Sequence, residues 1–176
     1  YLPAADIGMG GDDLNWFFGA VRGLDRPLSL LAVQHNFYRP VEQLYFFGVL
    51  LLAGTWYPAW LGAAIAVHMA NTMLVALVAR DLTGDRVAAS VAATWWALHH
   101  LHAEPLVRPY GIADPLLLLF SLITLVLLQR GRPLLAVVSF VLALGSKESA
   151  IVLPLLLAGW AFLLPPSRRP AWWLRV

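Results

Sequence analysis

Three short clusters concentrate the side chains that could move a proton or hold an anion. Asp12-Asp13 follows Gly8, Gly10 and Gly11; His99, His100, His102 and Glu104 fall within six residues; Ser146-Lys147-Glu148-Ser149 interrupts a long apolar stretch. A carboxylate can take a proton from a hydroxyl, and a second can support it or ligate a divalent cation. The glycines predict a loop, and adjacent carboxylates in extended backbone project to opposite sides. The plain alternative is a solvated acidic loop. Lys147 is the only lysine; every other strongly basic residue is arginine. A compact ammonium suits a phosphate oxygen as a point charge, or it pairs with Glu148 to cap the next helix. His-His-x-His lacks the helical spacing of a zinc site and reads as histidines at a helix end. Glu104 and Arg108, one turn apart, read as a charge pair. His68, Asn71 and Thr72 form one polar stripe at i, i+3 and i+4. That stripe faces protein, and helix packing accounts for it as well as substrate contact does.

The elements that position these clusters are set by composition. The 176 residues are 60% hydrophobic and only 12% charged, with a mean hydropathy of +0.72 and no cysteine. Soluble domains carry about 25% charged residues. The figures argue against a soluble globular domain, a disordered tail and a disulfide-stapled module. A formal charge of +2 is too small to point to nucleic acid. Continuous rather than alternating apolar runs favour helices over a barrel. The expected fold class is all-α: a polytopic helical membrane protein with an extracytoplasmic first loop and interfacial helices.

Residues 1–58 form that loop, and Val41–Thr55 reads as an interfacial or re-entrant helix that keeps Glu42 and Gln43. Trp56, Tyr57 and Trp60 read as an interfacial aromatic belt. Residues 59–164 form a helical region of about five spans, and 165–176 a cytoplasmic link. The clearest span is Trp60–Ala79, 20 residues, the length a bilayer requires. The others are Val87–Leu98, a run opened by Asp114 as N-cap with Pro115 in the first turn, Pro133–Leu144 and Ala150–Leu164. The start at Tyr1 without methionine, and the Trp-rich basic end, read as a piece of a larger protein with an upstream span.

Arg80, Arg86, Arg130, Arg132, Arg168 and Arg169 fall on one side if each run crosses once, and the positive-inside rule makes that side cytoplasmic. The acid pair, the His/Glu cluster and Lys147-Glu148 then share the opposite face. Several runs are short, so these clusters sit at or below headgroup level. Ionisable groups at that depth mark a site unless they snorkel to the interface.

In this order the clusters resemble a family. The acid pair, then Tyr38-Arg39-Pro40, then His68-Met69-Ala70-Asn71 resemble the GT-C membrane glycosyltransferases. Ala97-Leu98-His99-His100-Leu101-His102-Ala103-Glu104 with Gly111-Ile112-Ala113-Asp114 is similar to their "HPxHxE…GRAD" stretch. Ser146-Lys147-Glu148-Ser149 with Pro154 is similar to "SKES…P". The branch it resembles most is the protein O-mannosyltransferases with transmembrane spans followed by TPR repeats, and their bacterial relatives, over about residues 10–165. His100 replaces the proline and Ile112 the arginine of the pattern, leaving Arg108 as the candidate substitute.

The resemblance implies an inverting transferase using a polyprenyl-phosphate sugar, mannose first, with a protein or glycan hydroxyl as acceptor. It implies a multi-pass protein of a bacterial inner membrane with an extracytoplasmic site and the lipid bilayer, not nucleic acid, as its surroundings. Asp12 is the expected base and Asp13 a supporting acid or ligand to a divalent cation, Mg or Mn. Lys147, Arg39 and Arg108 are the expected donor-phosphate contacts. His102, Glu104, Asp114 and Glu148 support them. The rival class is a non-enzymatic membrane protein, a lipid-linked sugar transporter or scaffold subunit, for which polar groups should line a path through both leaflets.

Overall fold

The structure, a computed structural model, describes residues 11–33 and 36–163. It is all-helical, with no β-strand among the described residues. The helices are α1 (Asp12–Asp25), α2 (Pro40–Ala53), α3 (Tyr57–Thr83), α4 (Arg86–Leu98), α5 (Ala103–Val107), α6 (Ala113–Gln129), α7 (Pro133–Ser146) and α8 (Leu153–Leu163). Short 3-10 turns cover Pro27–Leu31, His100–His102, Pro109–Ile112 and Glu148–Val152. The expected runs match α3, α4, α6, α7 and α8, and the apolar stretch after Arg39 matches α2. Among the described residues two helical stretches, Tyr57–Thr83 and Pro109–Gln129, are long and apolar enough to cross a membrane.

Local chemistry sets the ends. Proline opens α2 and α7 and sits in the first turn of α3, where its missing N–H costs nothing. Gly84 closes α3 in a left-handed conformation, its amide donating to the Arg80 carbonyl. Asp85 caps α4 by accepting from the Val87 amide at 2.7 Å, a cap of the ordinary kind.

Three expectations need correction. Residues 12–25 are helix rather than loop: the turn ends at Gly11, and Trp16 and Ala20 then bury one face of α1. Asp12 and Asp13 are therefore successive helical residues, about 100° apart, and not opposed across an extended chain. Asp114 does not cap α6. Ile112 holds the cap position, and the Asp114 carboxylate is taken by Lys147. Tyr57 and Trp60 are core residues, with only Trp56 of that trio exposed. The reason is packing: Trp60 stacks 5.2 Å from Phe46 and donates Nε1–H to the Gly54 carbonyl.

The core gathers Trp16, Phe46, Trp60, Leu106, Ile112 and Leu116, drawing on α1, α2, α3, α5, α6 and the turn between the last two. Gly111 permits one close approach: a Cβ there would lie 2.7 Å from the Pro105 Cα. That contact folds residues 100–112 tightly against α3, where Tyr57 donates its hydroxyl to the Val107 carbonyl. Elsewhere large apolar side chains are exposed in rows, on α4 (Val87, Val91, Trp95) and on α7 (Leu134, Val137, Val141).

Candidate functional site

α3 packs against α4 and α6, and α7 packs against α6 and α2. His68 on α3 reaches the Ala97 carbonyl of α4 at 3.2 Å, and Asn71 donates to the Pro115 carbonyl of α6 at 2.9 Å. The His68/Asn71/Thr72 stripe thus faces protein; Thr72 bonds back to the His68 carbonyl. Next to Pro115, Asp114 Oδ1 accepts from Lys147, at the end of α7, at 2.6 Å.

Around Lys147 the chain builds an ionic cluster. Arg39 grips Glu148 with two parallel bonds, Nε to Oε2 at 2.9 Å and Nη2 to Oε1 at 2.8 Å. This fork is specific to arginine. Arg39 Nη1 also lies 3.5 Å from Glu42 Oε2. Two of the three expected phosphate contacts, Arg39 and Lys147, therefore converge although 108 positions separate them in sequence. Their carboxylate partners are remote residues. The local Lys147–Glu148 pair does not form: Lys147 takes Asp114 and Glu148 takes Arg39. The Arg39 guanidinium holds the Glu148 carboxyl down to about 2.

Glu42 belongs to this cluster and was not among the expected site residues. It is fully buried, and neither carboxyl oxygen receives a hydrogen bond. Arg39 makes an ion pair with it at 3.5 Å, too long for a good hydrogen bond. Burial pushes the Glu42 carboxyl up to about 8 against the pull of Arg39. Two signals pointed to it: it is the only acid in an otherwise apolar run, and it sits at i+3 from Arg39. Beside it Gln43 donates to the Trp16 carbonyl at 3.3 Å, tying the cluster to α1.

That tie leads to Asp13. Its carboxylate is buried and accepts the Tyr110 amide at 2.7 Å, pinning α1 to the 109–112 turn. The Asp12 side chain lies outside the described residues, as do residues 164–176 with Arg168 and Arg169. Glu104 accepts from the Tyr110 hydroxyl at 3.2 Å in place of the expected pair with Arg108. Arg108 is exposed and carries none of the described ion pairs. The structure thus joins Arg39, Asp114, Lys147 and Glu148 in one cluster, sets Asp13 and Glu104 around Tyr110, and leaves Arg108 outside both.

His102 stacks 3.9 Å from Trp96 and 5.3 Å from His68, while His99 and His100 stack on each other at 4.8 Å. Burial, with His68 and His99 nearby, pushes the His102 imidazole below its ordinary range. Among the described residues no group of three His, Asp or Glu side chains is placed to hold a metal ion. Asp13 Oδ1 is taken by the Tyr110 amide at 2.7 Å, so any cation would meet this carboxylate through its other oxygen.

No family model, curated protein or solved structure matches this chain.

Glu42 makes a prediction. Its folded-state value, about 8, lies above the ordinary 4.5, so the folded protein keeps a proton that the unfolded chain releases. Its contribution to stability is complete below about pH 4.5 and is lost as pH rises through 8. Thermal unfolding of Glu42→Gln and wild type in detergent should therefore diverge with pH, the variant gaining relative stability between pH 5 and 8.5. Parallel curves would show that Glu42 does not hold that proton.

Proposed function

We propose that this chain forms part of a polytopic membrane glycosyltransferase. It moves a sugar, mannose first, from a polyprenyl-phosphate donor to a protein or glycan hydroxyl on the extracytoplasmic side. The observation that carries the reading is the convergence of Arg39 and Lys147, held by carboxylates that can yield. Arg39 and Lys147 side chains are 13% and 28% exposed, whereas Glu148 and Asp114 are 58% and 55% exposed. The cations are held while their partners can swing into water. A phosphate can take those places, and charge-assisted bonds to it replace the ones given up.

The acceptor hydroxyl gives its proton to Asp12, and its oxygen attacks the anomeric carbon. The carbon–oxygen bond to phosphate breaks, and its electron pair stays on the phosphate, where Arg39 and Lys147 stabilise the charge. One displacement inverts the anomeric centre and needs no covalent enzyme intermediate. Glu148 and Asp114 hold the two cations between turnovers, and Glu104 with Tyr110 buttresses the turn that Asp13 pins.

The membrane setting is supported by exposure. Only 17% of the apolar window of α3 and 28% of that in Pro109–Gln129 is buried inside the protein, whereas a soluble protein's core helix would be largely covered. Val87, Val91 and Trp95 on α4 and Leu134, Val137 and Val141 on α7 stand exposed in rows, as a lipid-facing surface would carry them.

Transfer of labelled mannose from polyprenyl-phosphate-mannose to candidate acceptors by purified full-length protein tests the activity. Topology is tested separately. The chain has no cysteine, so Leu101→Cys and Thr83→Cys can be labelled singly in intact cells with an impermeant maleimide. Labelling is expected at 101 and not at 83. The reverse pattern puts the Lys147 cluster on the cytoplasmic side and rejects the reaction as drawn.

A further inference from the structure

At the link between α3 and α4 two arginines stand at the end of an apolar groove. Arg80 and Arg86 line a cleft of about 340 Å³ with Met73, Ala76 and Leu77 of α3 and Ala89 of α4. No carboxylate is among its described lining residues. The two acids of the link leave most of that positive charge uncompensated. Asp85 Oδ1 is spent on the Val87 amide at 2.7 Å, and Asp81 lies 3.6 Å from Arg80 Nη2. At that distance, with the Arg80 side chain 54% exposed, the pair is weak. Arg86 is exposed and takes part in none of the ion pairs among the described residues.

Apolar surface continues away from the arginines. Ser90, one turn along from Arg86, also borders a second groove of about 690 Å³ formed with Val91, Thr94, Trp95 and Leu98 among others. Val91, Trp95 and Leu98 are exposed. From Arg86 to Leu98 is about 18 Å of helix axis, a little more than half of a ~30 Å hydrocarbon core. One leaflet's acyl chains cover that depth. A ligand here meets two cations at one end and an apolar track beyond them.

Charge separates the occupants. The chain beyond residue 163 carries Arg168, Arg169 and Arg175 and no acid, which is the wrong sign. A second copy docked symmetrically on this face would set arginine against arginine. An anionic amphiphile matches both ends.

We infer that the groove at the α3–α4 link binds an anionic glycerophospholipid of the bilayer, its phosphate on Arg80 and Arg86 and an acyl chain along α4 from Ser90 to Leu98. Basic pockets between membrane helices take such head groups. This lipid is not the donor. Lys147 holds Asp114 beside Pro115, which meets Asn71, and Arg80 lies about 14 Å further along α3. The inference rests on the membrane setting proposed above and not on sugar transfer.

The test adds dioleoyl phosphatidylglycerol to full-length protein in a nonionic detergent and counts bound lipids by native mass spectrometry. Saturable retention is expected. Phosphatidylcholine, with the same chains and no net charge, should bind about tenfold more weakly. Arg80→Gln with Arg86→Gln should weaken phosphatidylglycerol binding about fivefold per arginine lost. Arg130→Gln with Arg132→Gln, on the other basic link, should leave it unchanged. Equal losses in the two double variants report diffuse attraction to basic helix ends and overturn the site. Loss on Lys147→Ala also overturns it, since that moves the lipid to the ionic cluster. Dihexanoyl phosphatidylglycerol keeps the head group and shortens the chains; binding as tight as the long-chain lipid's overturns the track along α4. If the Gln pair does not fold, Ser90→Trp decides: it sits on an exposed position, blocks the junction of the two grooves and should reduce binding, and unchanged binding overturns the site. A protein that stays monodisperse without detergent fails the membrane reading itself; one that needs detergent but selects no head group fails this inference alone.

Discussion

Lys147→Ala in the full-length protein is expected to lower kcat/KM for the polyprenyl-phosphate donor by about 10²–10³, the usual loss on removing one preorganised charge-stabilising donor. Lys147→Arg should recover part of it, because the charge survives while the compact geometry does not. The one described partner of Lys147 is Asp114, whose side chain is 55% exposed. Exposed pairs contribute about 0–1 kcal/mol, so Lys147→Ala should still fold and insert. Asp114→Asn supplies the control. If the lysine serves the phosphate, removing its competing carboxylate should tighten donor binding. If the lysine serves only Asp114, both variants should show the same small stability change and unaltered donor kinetics. That second outcome removes Lys147 from the site.

The helices were legible because they rest on local rules. Pro40, Pro58 and Pro133 mark starts, Gly84 a stop, and the apolar runs between them set lengths close to those observed. Failures came where tertiary packing overrode local signals. The glycines before Asp12 signal a loop correctly, but nothing local shows that Trp16 and Ala20 find a buried face and carry Asp12–Asp25 into a helix. An aromatic trio beside a proline looks like a membrane belt until Phe46 supplies a partner for Trp60. Asp114-Pro115 fits an N-cap by type, yet a lysine 33 residues away competes for the same carboxylate and wins.

The candidate site was legible as residue types and not as pairings. Lys147, Glu148, Asp114 and Arg39 stand out as ionisable groups in an apolar chain, where each needs a partner. Sequence proximity proposes Lys147 with Glu148 and Glu104 with Arg108. In both cases another partner takes the charge: Asp114 takes Lys147, Arg39 takes Glu148, and the Tyr110 hydroxyl takes Glu104. Arg39 reaches Glu148 across 109 positions, and the Tyr110 amide reaches Asp13 across 97. Glu42 was visible as an isolated acid but not as a buried one, because burial depends on α7 arriving beside the start of α2. Gly145 allows that approach, since a Cβ there would lie 2.9 Å from Val41 Cγ2.

The acid pair yields the largest expected effect. Asp13 is buried with Oδ1 on the Tyr110 amide, so its visible work is to anchor the turn between α5 and α6. In the proposed reaction the proton transfer falls to Asp12, the adjacent residue in the first turn of α1. Asp12→Asn keeps the size of the side chain but cannot take a proton at neutral pH. Loss of a general base typically costs about 10²–10⁴ in rate, which is roughly 3–5 kcal/mol of activation free energy at 1.36 kcal/mol per tenfold. Thermal unfolding of Asp12→Asn should match wild type. Asp13→Asn retains an amide oxygen for the Tyr110 N–H and should change the transfer rate far less. Asp13→Leu leaves that buried N–H unpaired and should lower stability by about 1–3 kcal/mol, with the rate falling only as the turn loosens. The measurement is mannose transfer under saturating donor, with unfolding followed on the same preparations. An Asp13→Asn variant slower than Asp12→Asn exchanges the two roles. Near-wild-type transfer by the Asp12→Asn, Asp13→Asn double variant would reject the acid pair as the reacting site, because no carboxylate would then remain at the start of α1 to receive the acceptor's proton.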